Sequence, residues 1–411
     1  MSKRTAVSAG SEAAGDQFRR LTVLIAVAFV DMMGFAMVFP LLPFYALKLN
    51  AEPQTIGLII AAFSGAQLIS APIWGRVSDR YGRRPALLIG LGASALGFLV
   101  FGFANSVLLL FLSRVVQGAG GGTTGVTQAY VADSVRPEDR ARSLGWLSAG
   151  TNLGTMLGPV IGSFASRWGQ EAPGILAATL CLINVFFAWK WLPESRKLTG
   201  GSHPKRKPVW HSAWMVIRHP KGTVQRLTLI YASAMLANAA MTAVLALYLG
   251  AEFGITERNI GYVFLYVGVF SVAMRSALIG PIVDRIGETW SMRAGTACLI
   301  LGLISFPLAG SLWVLAVIIP LVPIGAALLF PATTALMSRA SEKSELGLTM
   351  GTAQTFAGMA RVVAPLCSTT LFQRVGHGAP FLFAAMILGF VSLLAFRVGT
   401  VSAAEPAHVV D

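Results

Sequence analysis

Long apolar stretches constrain this chain more than any other feature of its sequence. Stretches of about 20 apolar residues recur along most of its 411 residues, and a helix of that length spans the hydrocarbon core of a bilayer. Two of them, 86–104 and 378–394, contain no charged residue, whereas a soluble amphipathic helix needs a charged outer face. Only 12% of the residues are charged. The pattern predicts an all-α membrane protein that crosses the bilayer many times.

We divide the apolar stretches into twelve predicted transmembrane helices, six in each half of the chain. The predicted spans are 21–45, 55–74, 86–104, 107–131, 143–166, 172–192, 225–249, 258–279, 292–309, 311–335, 347–372 and 378–397.

The charges are distributed very unevenly over the predicted loops. If residue 1 is cytoplasmic, 25 of the 32 Lys and Arg residues lie on the inner side, 4 in outer loops and 3 inside spans. This asymmetry is the positive-inside pattern of membrane proteins. The net charge of +14 therefore predicts contact with anionic lipid and cytoplasmic termini, and not nucleic-acid binding. The polar first twenty residues lack the apolar core of a cleavable signal peptide.

An internal repeat divides the chain into two halves. The pattern Gly-x3-Asp-Arg-x-Gly at 75–82 returns at 280–287, 205 residues later. We predict a six-helix bundle in 1–192 and a second bundle with a short tail in 225–411. Between them, 193–224 is a basic, cytoplasmic linker whose residues 209–217 have the spacing of an amphipathic interfacial helix. Its three histidines could bind a metal, but solvated histidines are the simpler interpretation.

The stretch GRVSDRYGRR at 75–84 connects predicted helices 2 and 3. Its two glycines permit a tight, closely packed connection, and its arginines suit the inner surface. The stretch resembles the signature of the major facilitator superfamily, Gly-x-x-x-Asp-Arg-x-Gly-Arg-Arg/Lys. The resemblance implies two pseudo-symmetric bundles around a central cavity. It also implies an inner latch, in which Arg83 pairs with Asp133 at the end of helix 4. The matching residues are Gly75, Asp79, Arg80, Gly82, Arg83 and Arg84.

Three further motifs narrow the resemblance. Asp31 and Gly34 in helix 1 are similar to the first helix of tetracycline-efflux proteins, and Arg114-x-x-Gln117-Gly resembles a family motif of helix 4. Helix 5 resembles the antiporter motif of drug:proton exchangers, although Ser163 replaces a further glycine. Packing alone could also explain this glycine ladder. Its residues are Gly150, Gly154, Gly158, Pro159 and Gly162.

Two charged residues inside the spans are the candidates for proton coupling. A charge within the bilayer costs about 2.5–3.5 kcal/mol even on lenient scales. The spans place Asp31 and Arg114 at depths that differ by about 5 Å, so we expect a buried pair, direct or bridged by water.

We expect the remaining polar residues of the spans to line the cavity, where several arginines favour an anionic or zwitterionic cargo. Arg361 either faces this cavity or bonds backbone carbonyls. In the second copy of the signature, Glu288 and its neighbours replace the two arginines, so we expect a weaker or missing latch. The expected cavity residues are Gln117, Asn152, Asn238, Gln354 and Arg361.

The sequence therefore favours a monomeric secondary transporter that exports a small amphipathic compound by proton antiport. The alternative is uptake or facilitated diffusion of an organic anion or lipid-like metabolite without coupling through Asp31. A receptor without flux would favour a large soluble domain. The sequence contains no nucleotide-binding loop and no convergent set of catalytic residues, so we do not expect enzyme activity, a cofactor or a metal site. The expected partners are a small-molecule substrate, protons and membrane lipid. The compact loops suit a bacterial inner membrane, and an organelle membrane stays open.

Overall fold

The computed structural model describes residues 21–195, 222–342 and 345–396. These residues form helices joined by short turns, and no strand occurs among them. The predicted interfacial helix at 209–217 lies outside the described residues, as do both ends of the chain.

We number the helices α1 to α12 in chain order. In the first half they are α1 (Leu21–Lys48), α2 (Pro53–Tyr81), α3 (Arg83–Gly102), α4 (Val107–Gly121 and Thr124–Ser134), α5 (Arg140–Ala165) and α6 (Ala172–Trp191). In the second half α7 is Thr223–Phe253, and α8 begins with Ile260–Ala273 and a π-helical turn, Met274–Leu278. The segment Ile279–Ser305 breaks at Gly287 into the end of α8 and α9. The last helices are α10 (Leu312–Ala340), α11 (Leu346–Arg374) and α12 (Ala379–Phe396).

Each predicted span falls on one of these helices. Eight of the described helices, namely α1, α2, α3, α6, α7, the segment continuing into α9, α10 and α11, are long and apolar enough to cross a membrane. The first part of α8 and most of α12 are shorter apolar helices, and α4 is broken at residues 122–123. The predicted all-α membrane fold is confirmed.

The glycines of α5 let this helix approach α1 at backbone distance. A Cβ atom added to Gly158 would lie 2.6 Å from the carbonyl oxygen of Met33 and 2.7 Å from Cβ of Ala36. A Cβ on Gly154 would lie 3.0 Å from the amide nitrogen of Met33. Small residues at every fourth position thus form a groove that receives α1, as is common in membrane helices.

Helix α3 lies beside α4 and α6 through similar close contacts. A Cβ on Gly97 would lie 3.1 Å from the amide nitrogen of Gln117. Nearer the outer end, Gly102 of α3 faces Gly174 of α6, with its Cβ position 3.3 Å from the Gly174 Cα atom. These two contacts align Gln117 of α4 with Gly97 of α3, and Gly174 of α6 with Gly102 of α3.

The described residues divide into two compact units. Unit 1 contains 21–51, 62–195 and 256–265, and unit 2 contains 52–61, 222–255, 266–342 and 345–396. The division differs from the predicted half-chain boundary at the first residues of α2 and α8. In unit 2 a Cβ on Gly57 would lie 2.8 Å from the Pro365 carbonyl of α11. In unit 1 the Gly261 amide donates a hydrogen bond of 2.8 Å to Ser163 Oγ of α5.

We expect Gly158→Ala to destabilise the protein, because the added methyl group has no space against α1 and overpacking costs about 1–3 kcal/mol. Thermal unfolding in detergent micelles measures the effect. Gly145→Ala is the matched control, since no atom lies within 4 Å of its Cβ position and alanine is the better helix former. An equal fall in the two midpoints would contradict the packing argument.

Candidate functional site

A sharp turn separates α2 from α3 in unit 1, on the side that the sequence predicts to be cytoplasmic and that we call the inner side. Gly82 has a φ of 106°, a value that residues other than glycine rarely adopt. The carboxylate of Glu194 accepts hydrogen bonds from the backbone amides of Arg83 (2.8 Å) and Arg84 (3.1 Å). A carboxylate at a helix N-terminus satisfies free amides and complements the helix dipole. Glu194 therefore caps α3.

Arg83 is the centre of the inner cluster. Its guanidinium lies 2.9 Å from Asp79 of α2 and 3.1 Å from Asp133 of α4. It also donates to Ser78 Oγ at 2.7 Å. Only 12% of the Arg83 side chain is exposed. The contact between Arg83 and Asp133 that the resemblance implies is therefore present, and it joins the inner ends of α2, α3 and α4.

The other residues of the signature have different surroundings. Arg84 donates a hydrogen bond to the Trp189 carbonyl of α6. Arg80 is exposed beside the ring of Tyr81. Gly75 lies inside α2, and no atom lies within 4 Å of its Cβ position. The expectation of close packing is wrong for Gly75, because the turn begins seven residues later at Gly82.

Sequence reasoning did not identify Glu194 as part of this cluster. The residue follows α6 directly, and nothing in its local sequence shows that it lies at the start of α3. The Tyr130 hydroxyl of α4 also donates to the carbonyl of Pro193. The residues that follow α6 are therefore bonded to both α3 and α4. The only available signal was a lone carboxylate immediately after an apolar span.

Asp31 lies on α1, in the part of this helix that packs against α6. Its neighbours along α1 contact α6, since Asn184 donates to the Val27 carbonyl at 2.9 Å and the Gly34 Cβ position lies 3.8 Å from Ala177. The Asp31 carboxylate is within electrostatic range of the Cys181 thiol. The Asp31 residue is half-buried, and no cation among the described residues forms an ion pair with it.

Arg114 faces α3 and does not pair with Asp31. Its guanidinium donates to the Gln117 side chain at 2.7 Å and lies 5.5 Å from the centre of the Phe101 ring. Gln117 is level with Gly34, because both contact neighbouring residues of α3. Arg114 is three residues outward of that level and Asp31 three residues inward. Their depths therefore differ by about 9 Å, and the expected direct pair is wrong in this structure.

The surroundings of Arg114 leave several buried donors without partners. Arg114 is 1% exposed, yet its Nε and Nη2 atoms have no hydrogen-bond partner among the described residues. The same holds for Nε2 of Gln117 and for the hydroxyl of Tyr45, whose ring stacks on Phe101 at 5.3 Å. Unpaired buried donors are costly. This donor-rich cluster has the chemistry to accept a carboxylate or water.

The other expected cavity residues are spread over both units. In unit 1, Asn152 is half-buried on α5. In unit 2, Asn238 is half-buried on α7, and the exposed Gln354 of α11 donates to the Tyr231 hydroxyl at 3.3 Å. Arg361 is half-buried on the stripe of α11 that also carries Pro365 and Thr369, with no ion pair among the described residues. Within unit 2, no hydrogen bond or ion pair joins the described residues Asn238, Gln354 and Arg361 to one another.

The glycine motif of α5 forms packing contacts along its whole length. A Cβ on Gly150 would lie 2.8 Å from Ile25, and one on Gly162 would lie 3.0 Å from the Met37 Cα atom. Pro159 and Ser163 receive Gly261 of α8, whose Cβ position lies 2.7 Å from Ser163 Oγ. Packing accounts for every position of the motif, so its role in antiport stays a prediction.

An ion pair joins the outer residues of unit 1. Lys48 at the end of α1 lies 2.6 Å from Glu257 in the turn before α8. Burial raises the pKa of Glu257, but the hydrogen bond and charge of Lys48, together with the charge of Arg258, outweigh burial and hold that pKa below its usual value.

The second copy of the signature also forms an ion pair. Gly287 has a φ of 76°, like its counterpart Gly82, and the next residue, Glu288, forms an ion pair of 2.7 Å with Arg339 of α10. The expectation of a missing latch is therefore wrong, because an ion pair of opposite polarity takes its place, whereas a weaker latch stays a prediction.

We expect Glu194→Ala to destabilise the start of α3, because two backbone amides lose their acceptor. Loss of a helix cap costs about 0.5–2 kcal/mol. Thermal unfolding and hydrogen exchange of the Arg83 and Arg84 amides measure the effect. Glu138→Ala, an exposed carboxylate at the α4–α5 turn, is the matched control. Unchanged exchange at the two amides would show that Glu194 is not a cap.

Comparison with known proteins agrees with this architecture. The family model for the Major Facilitator Superfamily matches residues 24–275 and 227–409. Multidrug resistance protein 2 of Bacillus subtilis is 28% identical over 89% of this chain and 92% of its own length. The class B tetracycline resistance protein of Escherichia coli is 25% identical over 86% of this chain and 88% of its own.

Solved structures share the fold at lower identity. The human organic anion transporter MFSD10 has a TM-score of 0.68 at 22% identity, and the aligned region covers 92% of this chain and 99% of that one. A bacterial homologue of the lysosomal transporter Spinster, solved in an inward-facing conformation, has a TM-score of 0.74 at 13% identity, with 93% and 97% covered. Since the family model spans most of the chain, the protein belongs to the Major Facilitator Superfamily, a family of membrane transporters and not of enzymes.

Proposed function

We propose that the protein exports small amphipathic organic compounds in exchange for protons. The observation that carries this proposal is a carboxyl group, Asp31, half-buried in a membrane helix with no cation paired to it among the described residues. Similarity to multidrug and tetracycline resistance proteins over nearly the full chain supports drug export. Transport driven by a gradient requires no cofactor.

Asp31 has the chemistry of a proton carrier. A carboxylate inside the hydrocarbon region is costly, and protonation removes the charge. An arginine bound permanently to Asp31 would offset that cost without a proton. Arg114 lies about two helical turns further outward and bonds Gln117 instead. The absence of this pair supports the proposal that Asp31 binds a proton in this conformation.

Arg114 and Gln117 are the proposed counterpart of Asp31. The unpartnered donors of both residues can receive a negative group, either the carboxylate of Asp31 in another conformation or that of a cargo molecule. If a proton moves to Asp31 when these donors are occupied by cargo, binding of the two is linked. Alternating access then carries the proton and the cargo in opposite directions.

An anionic or zwitterionic cargo is the proposed substrate class. Arg361 supports it, because this half-buried cation of α11 has no ion-pair partner among the described residues. Purified protein in liposomes, screened against anionic, zwitterionic, cationic and neutral drugs, tests the class. Preferential transport of cations would contradict it.

The proposed location is a bacterial inner membrane, with a monomeric protein and both termini in the cytoplasm. The bacterial relatives and the positive-inside distribution of charges support this arrangement.

We expect Asp31→Asn to abolish proton-driven accumulation, because asparagine cannot carry a proton. Cargo binding and downhill exchange should persist, since the amide resembles the protonated acid. Liposomes with and without an imposed pH gradient measure both activities, and Glu138→Gln is a control for loss of one exposed carboxylate. If Asp31→Asn still concentrates cargo, coupling lies elsewhere. Uncoupled uptake by the wild-type protein would instead support facilitated diffusion.

We expect Asp79→Asn to reduce transport at least tenfold while the protein still inserts and folds. The change removes one of the two carboxylates that contact the Arg83 guanidinium, and so we expect it to alter the balance between conformations rather than helix insertion. Transport per folded molecule, with folded protein measured by size-exclusion chromatography, gives the result. Full transport would mean that the signature only orients the chain.

A further inference from the structure

The two halves carry inner ion pairs at equivalent positions with reversed charges. Arg83 and Glu288 are 205 residues apart, and each directly follows a glycine of positive φ at the start of a helix. Their partners Asp133 and Arg339 are 206 residues apart, and each is the penultimate residue of its helix. We call the pair Arg83–Asp133 the first clamp and the pair Glu288–Arg339 the second clamp.

The geometry of the two clamps is similar. The ion-pair distances are 3.1 Å in the first clamp and 2.7 Å in the second. In both, the residue at the helix start is the less exposed member, with 12% of the Arg83 side chain and 15% of the Glu288 side chain accessible. The reversal of charge thus places opposite charges in equivalent, mostly buried positions.

Polarity matters because a helix has a positive N-terminus and a negative C-terminus. In the first clamp an arginine lies at the N-terminus of α3 and an aspartate at the C-terminus of α4, so both charges oppose their own helices. In the second clamp a glutamate lies at the N-terminus of α9 and an arginine at the C-terminus of α10, so both charges are favoured. Each such charge changes the equilibrium constant for forming its helix end by roughly two- to fivefold.

The carboxylates beside the two clamps also differ. The first clamp relies on Asp79, which contacts Arg83, and on Glu194, which caps α3. The second clamp has Asp284 at the position of Asp79, where its charge has the same sign as that of Glu288 four residues later. Asp284 is exposed and forms no ion pair among the described residues. Among the described residues, the second clamp depends on the ion pair of its own two residues and on the dipoles of their helices.

We propose that the two clamps have different roles because their charges are reversed. The first clamp is a releasable latch, held by side chains that oppose their helix dipoles, and the second is a permanent brace that keeps the inner ends of α9 and α10 together. The effect on transport rests on the proposed function, whereas the difference in local stability does not.

The test reverses the second clamp. Glu288→Arg with Arg339→Asp keeps an ion pair possible and, with Asp284, recreates the charges of Asp79, Arg83 and Asp133. In purified protein we expect hydrogen exchange at 288–292 to rise roughly three- to thirtyfold and the unfolding midpoint to fall, because both helix termini now carry unfavourable charges. Unchanged exchange at 288–292 in the reversed variant would overturn the proposal.

Single neutral variants separate the two roles. Glu288→Gln should lower the unfolding midpoint but keep transport per folded molecule within about twofold, whereas Arg83→Gln should reduce transport at least tenfold. Equal losses of transport in the two variants would overturn the proposal that the two clamps have different roles. If the wild-type protein moves no tested compound, the proposed function fails, while the exchange measurements still decide the stability difference between the clamps.

Discussion

Close approach of helix backbones is the constraint on which the structure of unit 1 depends. Helices in lipid gain little from burying apolar side chains against one another, because the lipid is equally apolar. Glycine instead allows backbones to touch, as α5 does against α1 at Gly154 and Gly158. The same contact between α3 and α4 at Gly97 fixes the depth of Arg114. The positions of the charged residues follow from these contacts.

The depth of Arg114 explains why the membrane charges are not paired as expected. Counting residues from the end of a span gave a separation of about 5 Å from Asp31, whereas contacts through α3 give about 9 Å. Arg114 is instead held by Gln117 and by the ring of Phe101. An arginine with unpaired donors and a carboxyl group without an ion-pair partner among the described residues are the elements on which the proposed proton-coupled cycle depends.

The inner turns show how one backbone device accepts two electrostatic solutions. Gly82 and Gly287 both have positive φ values and both precede the residue that forms the ion pair. The turn itself depends on glycine and not on the sign of the neighbouring charge. Once the backbone brings a helix start beside a helix end, either order of charges gives an attractive pair. The dipoles of the helices then decide which order is the more stable.

The sequence by itself determined the number and approximate bounds of the membrane helices, because hydrophobic length and the positive-inside pattern are local properties. The internal repeat is also a property of the sequence, and it predicted a second turn at Gly287. Only the tertiary structure decided that Glu194 caps α3, that Asn184 of α6 bonds the Val27 carbonyl of α1, and that Glu288 pairs with Arg339. Each of these contacts joins residues at least 50 positions apart. Their proximity depends on which helix faces pack together, and hydropathy carries no information about that choice.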